Sequence, residues 1–365
     1  MLQRREFLKG IACLTALPML SACTRVEQTL LTSAATDQHG RHFMLGLDKE
    51  LLPTFKVRLP RRGHSVIYNK SRQQALAFAR RPGRFIQVLD VLSNKVLHEI
   101  SPLHNRLFFG HGVMCCQERM LYVTENDFEK ARGVIGVYDA HKGYQKVNEL
   151  DAFGVGSHEI QRLQHTNTLV VANGGIHTHP DQPRQKLNLN TMQPNLSFID
   201  ADTGLLVKQQ FLADPQASIR HIAVSDTEVA VGLQHQSNIL EQSPICAFSG
   251  RDPLQGLKAS AQLAPKLKHY IASVAMGEDG LVAFTAPKGN CVIFIDSHVD
   301  SLVGQVALRD VAGVSYQKQH NRFYVSTGKG GVYPIDAKTL TLGSGRQFDG
   351  LKWDNHMALA QYSDR

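Results

Sequence analysis

The stretch FGHGVMCCQERMLYVTENDFEKARGVIGVYDAHKG, residues 109–143, contains three short apolar runs separated by polar turns. The first run carries a histidine, the second ends in a polar turn, and the third ends in an apolar pair followed by aspartate. Apolar runs of this length, bounded by turn residues, are typical of antiparallel strands. Because the same three runs return in the same order along the chain, the stretch predicts a repeated β unit.

The aspartate after the third run recurs at a fixed place in the unit. It stands in VLDVLS, VYDAHKG, FIDADTG, FIDSHVD and PIDAKT as Asp90, Asp139, Asp200, Asp296 and Asp336. In the unit that reads AFSGRD, Ser249 takes its place. A carboxylate at the start of a turn can accept hydrogen bonds from the turn N–H groups. These aspartates are therefore predicted to be structural.

The first run of the unit gives the period of the repeat. It reads RGHSVIY, FGHGVMC, GSHEIQR, IRHIAVS, IASVAMG, AGVSYQK and DNHMALA, with His64, His111, His158 and His221, then Ala272, Gly313 and finally His356. The first three histidines are spaced 47 residues apart. Repeats of roughly 40–50 residues with several strands each indicate a β-propeller. The predicted fold is an all-β propeller with seven blades.

The seventh unit is divided between the two ends of the chain. DNHMALA, residues 354–360, supplies only its first strand. The other three strands are predicted in TLLTSAA (29–35), HFMLGLD (42–48) and PTFKVRLP (53–60). Pairing the N- and C-terminal strands in one blade would close the propeller and remove its exposed edge.

The N-terminus carries an export pattern. QRREFLKG contains two adjacent arginines and is followed by the apolar run IACLTALPML and by LSAC. That apolar run has the length of a signal peptide and is too short to span a bilayer. The sequence thus predicts a twin-arginine signal peptide over residues 1–22, lipid attachment at Cys23, and a propeller over 23–365. The expected location is the periplasm, as a lipoprotein held at the membrane through its lipid anchor only.

Composition excludes several classes of function. The formal net charge is +8, but the lysines and arginines are dispersed, so no nucleic-acid-binding stripe is predicted. No CxxCH motif for c-type haem occurs, and STGKGG lacks the spacing of a phosphate-binding loop. The cysteines that follow the signal peptide and Cys23 leave the pairing of any disulfide open: Cys115, Cys116, Cys246 and Cys291.

Propeller geometry would bring the histidines together. The first strand of each blade lines the central channel, so five histidines in register should surround one channel mouth. An insertion in blade three, residues 173–190, should emerge on the same face and bring His177 and His179 over the mouth. The loops between second and third strands are expected on that face too, with Arg80, Arg81, Glu125, Asp127, Gln234, His235, Lys288 and Lys329. His165 is expected in a turn at the opposite face, as a surface residue.

This pattern predicts a transition-metal site. Imidazole suits zinc, copper, iron and nickel, whereas calcium and magnesium need converging carboxylates. One ion takes three or four such ligands, so the whole set is not expected to bind a single ion. The candidate ligands are His64, His111, His158, His177, His179, His221 and His356.

Several motifs resemble one bacterial family. LPRRGHSV, FGHGV, GSHEI, LVVANGGIHTHPD, KLNL and SFIDADTG are similar to the domain of unknown function family 1513. The resemblance implies an exported propeller, often encoded beside imelysin-type and di-haem-peroxidase-like proteins in iron-uptake loci. It also implies iron or copper as the metal and periplasmic iron-uptake proteins as partners.

Three functions remain open at the level of sequence. The first is a propeller that binds a metal ion or metal complex in periplasmic metal acquisition. The second is a metal-dependent periplasmic oxidoreductase, and the third is a protein-docking scaffold whose histidines are structural. No Ser-His-Asp arrangement is legible, so whether the protein is an enzyme stays open.

Overall fold

The computed structural model describes residues 29–182, 185–237, 243–250 and 253–360. These residues form seven four-stranded antiparallel sheets, which confirms the predicted seven-bladed propeller. The predicted signal peptide, residues 1–22, and Cys23 lie outside the described residues. No helix in the described part of the chain is long and apolar enough to cross a bilayer.

The first three strands along the chain are β1 (Leu31–Asp37), β2 (His42–Leu47) and β3 (Pro53–Leu59). Blade one contains β4 (Gly63–Asn69), β5 (Gln74–Ala79), β6 (Ile86–Asp90) and β7 (Lys95–Ile100). Blade two contains β8 (Arg106–Met114), β9 (Met120–Asp127), β10 (Arg132–Asp139) and β11 (Gln145–Asp151). Blade three contains β12 (Ser157–Arg162), β13 (Thr168–Asn173), β14 (Asn195–Asp200) and β15 (Leu206–Phe211).

Blade four contains β16 (Ala217–Val224), β17 (Val229–His235), β18 (Cys246–Ser249) and β19 (Gln255–Gly256). Blade five contains β20 (Ser273–Met276), β21 (Leu281–Ala286), β22 (Cys291–Asp296) and β23 (Ser301–Ala307). Blade six contains β24 (Val311–Gln317), β25 (Arg322–Thr327), β26 (Gly331–Asp336) and β27 (Arg346–Gln347), and the last strand is β28 (Leu351–Leu359). Within the described residues, helical structure is limited to the short turns Ala140–Lys142, Leu189–Thr191, Lys258–Ala261, Pro287–Gly289 and Lys318–His320.

The two ends of the chain meet in blade seven, as predicted. Its sheet has the order β28-β1-β2-β3, and β28 pairs antiparallel with β1 from Leu31↔Leu359 to Asp37↔Leu351. The first strand of each blade contacts the first strands of both neighbouring blades, and these contacts form a closed circle. The circle of first strands surrounds the channel.

The hydrophobic core lies between neighbouring blades. Apolar side chains of each sheet pack against those of the next one; for example, Phe78 and Val88 of blade one pack with Leu121 and Val123 of blade two. Most strands in the three inner positions of a blade have both faces covered, so they read as nearly continuous apolar runs. The fourth strands are exposed at many positions, as in β7 and β23.

The recurring aspartates hold turns, which confirms the structural interpretation. Asp139 Oδ1 accepts a hydrogen bond from His141 N at 2.9 Å, and Asp200 Oδ1 accepts one from Thr203 N at 2.8 Å. Asp336 Oδ1 accepts one from Thr339 N at 2.8 Å. The turn N–H groups that the strands leave unpaired thus find acceptors.

The four cysteines of the propeller are all free. Cys246 and Cys291 are buried in the core between blades four and five, while Cys115 is half-buried and Cys116 is exposed. The described chain is therefore held together by packing and hydrogen bonds, without a disulfide among these four residues.

Candidate metal centre

A break in strand pairing occurs at each histidine of the channel. In blade three, Ser157 pairs with Asn173 and Glu159 with Ala172, so His158 is left between two consecutive pairs. Similar register shifts occur in β4, β8, β16 and β28, and in each of them a histidine lies within the shift or beside it. β-Bulges re-aim side chains and are common beside functional sites. Here they allow adjacent residues of one strand to face the channel together.

The five channel histidines form one buried cluster. Their side chains are almost fully removed from solvent, and no residue of the five is more than 8% exposed. The centroid of the His111 ring lies 4.5 Å from that of the His356 ring, 4.8 Å from that of His64 and 5.4 Å from that of His158. His221 lies 4.8 Å from both His158 and His356. The predicted ring of His64, His111, His158, His221 and His356 is thus brought together around one point.

Hydrogen bonds at Nδ1 orient three of these rings. His111 Nδ1 donates to the carbonyl oxygen of His158 at 2.6 Å, and His221 Nδ1 donates to Glu159 Oε2 at 3.0 Å. His64 Nδ1 lies 3.3 Å from Asp354 Oδ1. A ring that donates from Nδ1 keeps a free lone pair on Nε2, which is the arrangement that metal-binding histidines use.

The closest donor atoms have spacings that suit a metal ion. His111 Nε2 lies 3.1 Å from His356 Nε2 and 3.8 Å from Glu159 Oε2. Two donors at roughly 2.0–2.1 Å from one tetrahedral ion would be about 3.3 Å apart. Ligand atoms of His111, Glu159, His221 and His356 all lie within 4.8 Å of one another. The four side chains could hold one ion after small adjustments.

One ring nitrogen of the cluster has no hydrogen-bond partner among the described residues. This atom is His158 Nδ1, which is buried. An unpaired buried polar atom costs about 1–3 kcal/mol, so such atoms are rare unless something else contacts them. A bound ligand near His158 would explain this one.

Burial keeps the cluster uncharged at neutral pH. It lowers the pKa of His64 to about 4 and the pKa values of His111 and His221 to about 3. Burial also lowers the pKa values of His158 and His356, and it raises that of Glu159. Neutral imidazole is the form that binds metal. The five histidines are therefore ready to coordinate without first losing protons.

A carboxylate at the channel mouth interacts with the cluster from above. Asp354 is 3% exposed and contacts Arg62 Nε at 2.6 Å, Arg80 Nη1 at 3.3 Å and His64. Burial acts to raise its pKa, but the His64 hydrogen bond and the two arginine charges outweigh burial and bring it to about 2. Asp354 therefore stays ionised and orients His64.

The structure does not bring His177 and His179 to this cluster. His177 Nε2 lies 3.2 Å from the carbonyl oxygen of Phe128, and the His179 ring packs against the Phe128 ring at 5.2 Å. The blade-three insertion does emerge on the histidine face, because it follows Asn173, the partner of Ser157. Its Lys186 lies close enough to Arg220 for that charge to lower the lysine pKa further than burial alone does. His165 is exposed in the turn between β12 and β13, as predicted.

Sequence reasoning missed Glu159. Strict alternation along β12 would place neighbouring residues on opposite faces, so a channel-facing His158 implies that Glu159 points away. The bulge at His158 removes that alternation, and Glu159 reaches both His221 and His111. The available signal was a carboxylate inside a first strand whose other side chains are largely buried.

Gly110 is required for the packing of His64 against the strand that carries His111. Its φ is +98°, and a Cβ at this position would lie 2.6 Å from His64 Cδ2. Gly40 also has a positive φ, +75°, but a Cβ there would have nothing within 4 Å. We expect Gly40→Ala to cost about 1–2 kcal/mol of backbone strain, and Gly110→Ala to cost about 1–3 kcal/mol more from crowding. Urea unfolding measures the free energy of unfolding of both variants. Equal losses of stability in Gly40→Ala and Gly110→Ala would contradict the contact with His64.

Fold and site together define a class: a seven-bladed propeller with buried imidazoles and a carboxylate in its channel. Within that class, the chain belongs to the DUF1513 family of proteins of unknown function, whose sequence pattern matches residues 57–360. The comparison with curated proteins finds no match.

Similar solved structures include the Kuenenia stuttgartiensis hydrazine synthase, with a TM-score of 0.63 and 13% identity over 84% of this chain and 95% of that chain. The WD40 repeats of RRP9 give a TM-score of 0.55 and 13% identity, covering 83% of this chain and 88% of the other. At this level of identity the likeness shows the propeller fold alone.

Proposed function

We propose that this protein binds a transition-metal ion, iron or copper, in its channel and takes part in periplasmic metal acquisition or handling. The observation that supports the proposal is the convergence of His111, Glu159, His221 and His356, whose ligand atoms lie within 4.8 Å of one another. Three imidazoles and one carboxylate are a ligand set that suits iron, copper or zinc. The preference for iron or copper comes from the family resemblance.

The residues of the cluster would have different roles in metal binding. His111 and His356 present Nε2 atoms 3.1 Å apart, and Glu159 stands beside both His111 and His221. Glu159 would either bind the ion or hold His221 in orientation, and in both cases its charge would offset that of the ion. His64 and His158 flank this set and pack edge-on against His111 and His221, respectively.

We also propose that the protein is exported and anchored at the membrane through Cys23, with periplasmic metal-uptake proteins as partners. The support is the twin-arginine pattern QRREFLKG followed by LSAC. Export by this route carries folded proteins, which would allow the metal to be inserted before export.

Removal of two ligands should abolish metal binding. We expect the metal-free wild-type protein to take up one Cu²⁺ per chain, measured by calorimetry and elemental analysis after dialysis. His111→Ala/His356→Ala should bind at least about 100-fold more weakly, because changes to supporting residues alone typically cost 10–100-fold. His165→Ala removes an exposed imidazole and should bind as the wild type does.

A third variant separates the two roles of Glu159. Glu159→Gln should cost more than about 100-fold if the carboxylate binds the ion, and about 10–100-fold if it only orients His221. Wild-type protein that takes up no Cu²⁺, Fe²⁺ or Zn²⁺ would overturn the proposal and leave a docking scaffold with structural histidines. Redox turnover by the loaded protein would instead favour an oxidoreductase.

A further inference from the structure

The channel mouth above the histidines contains an arginine without a counter-ion. Arg220 precedes His221 in β16 and is only 5% exposed. Its Nε has no hydrogen-bond partner, and no carboxylate lies within ion-pair distance of its guanidinium among the described residues. Burial and the nearby charge of Arg81 both disfavour this unpaired charge. The positive charge of Arg220 is therefore buried without a compensating negative charge.

The same chain shows how it otherwise buries an arginine. Arg106 is 6% exposed, close to the value for Arg220, but it contacts Asp127 Oδ2 at 3.0 Å and Glu149 Oε1 at 2.8 Å. Removing the partner of a buried charge strongly destabilises a protein, because the remaining charge stays buried without compensation. The environment of Arg220 is like that of Arg106 with its two carboxylate partners removed. This comparison indicates that a ligand supplies the missing negative charge.

Other cations stand around Arg220. Arg81 lies 5.3 Å from the ring of Phe109 and likewise has no ion-pair partner among the described residues. Lys288 Nζ lies 5.1 Å from the centre of the Tyr270 ring. The charges of Arg81, Lys186 and Lys288 are near enough to one another or to Arg220 to affect pKa values. The nearby carboxylates are already engaged: Asp354 with Arg62 and Arg80, and Glu159 with His221.

Tyr270 adds a hydrogen-bond donor to this group. Its hydroxyl oxygen accepts a hydrogen bond from Asn355 Nδ2 at 2.8 Å, which leaves its own proton free to be donated. A planar guanidinium with parallel N–H groups matches the two oxygens of a carboxylate or a phosphate. The group therefore presents a buried guanidinium, a tyrosine hydroxyl and further positive charge on the approach to the histidine cluster.

We propose that the channel mouth binds an oxyanion, either a carboxylate or a phosphate group, between Arg220, Arg81 and Tyr270. The inference rests on the proposed function in one respect: next to a bound ion, the anion would serve as a further metal ligand or as part of a metal complex. The oxyanion site itself requires no metal. A free anion and an anionic metal complex share this chemistry and are separated by the measurements below.

The test uses the full chain, freed of metal by chelation, and calorimetric titration with inorganic phosphate and with citrate. We expect saturable binding of at least one probe, weakened at least tenfold in Arg220→Met and in Arg81→Met. Arg346→Met removes an exposed arginine on β27 and should bind as the wild type does. Because Arg220→Met removes an unpaired buried charge, its urea unfolding in anion-free buffer should show stability equal to or above that of the wild type.

The same titrations are repeated on Cu²⁺-loaded protein. Tighter citrate or phosphate binding after loading would identify the metal complex as the ligand, and equal binding would identify the free anion. Failure of both probes to bind either form, or Arg220→Met binding like the wild type, would overturn the oxyanion site. Anion binding by protein that takes up no metal would keep this inference and reject the proposed metal function. If Arg220→Met does not fold, Arg81→Met decides the test.

Discussion

Deletion of residues 354–365 should leave a protein that no longer unfolds cooperatively. The deletion removes most of β28, whose Asp354, His356 and Met357 are buried, and it exposes the paired edge of β1. Each large buried side chain lost from a core costs about 2–5 kcal/mol, while a whole domain is stable by only about 5–15 kcal/mol. Circular dichroism during thermal unfolding measures the loss. A sharp transition at the wild-type temperature would refute closure of the propeller by β28.

A pair of point variants tests the same strand without deleting it. Trp353 is 3% exposed and packs between blades six and seven, whereas its neighbour Lys352 is exposed. We expect Trp353→Ala to cost about 3–5 kcal/mol and Lys352→Ala less than about 0.5 kcal/mol. Similar small losses from both variants would show that β28 is not an inner strand.

Acid should destabilise the metal-free protein, and the loss of stability should begin near pH 6.5. Folding holds the pKa of His64 at about 4 and those of His111 and His221 at about 3, against a value of about 6.5 in an unfolded chain. Below pH 6.5 the unfolded state therefore binds more protons than the folded one, and the free energy of unfolding decreases as the pH is lowered. The stabilisation is complete above pH 6.5 and is lost progressively between 6.5 and about 3–4.

The expected slope is large. Each of these three histidines contributes up to about 1.4 kcal/mol per pH unit once the unfolded chain is mostly protonated, so together they remove about 5 kcal/mol between pH 6.5 and 5. The pKa of Glu159 is raised by burial, and its protonation in the folded state offsets part of this loss. Urea unfolding at pH 7.5, 6.5 and 5.5 in the presence of a chelator measures the slope. His165→Ala should have the same slope as the wild type, and a flat profile would contradict burial of neutral imidazoles.

The sequence was sufficient for the architecture because the architecture is periodic. A blade cannot bury both faces of its sheet alone, so each repeat must carry the same apolar runs, and the runs can be counted. One strand near Asp354 and three strands before His64 remain after six complete blades are counted. Together they make the four strands of a seventh blade, which predicts the closure. The channel histidines follow from the same register, since the first strand of every blade lines the channel.

The parts that escaped prediction depend on departures from regular geometry. Glu159 and Arg220 each adjoin a channel histidine, and regular pleating would turn them away from the channel. Register shifts at these positions bring both toward it, and nothing in the local sequence specifies a shift. His177 and His179 lie in a long connection whose path is set by contacts with Phe128 rather than by any repeat.

The closure of blade seven also fixes the side on which the described chain enters the propeller. β1 begins at Leu31 beside the end of β28, and it reaches the side of Arg62 and Asp354 only at its far end, near Asp37. The described chain thus enters the propeller on the side opposite the channel mouth. The proposed lipid anchor at Cys23 would then hold that back side toward the bilayer, and the mouth with its arginines would face the open compartment, within reach of the proposed soluble partners.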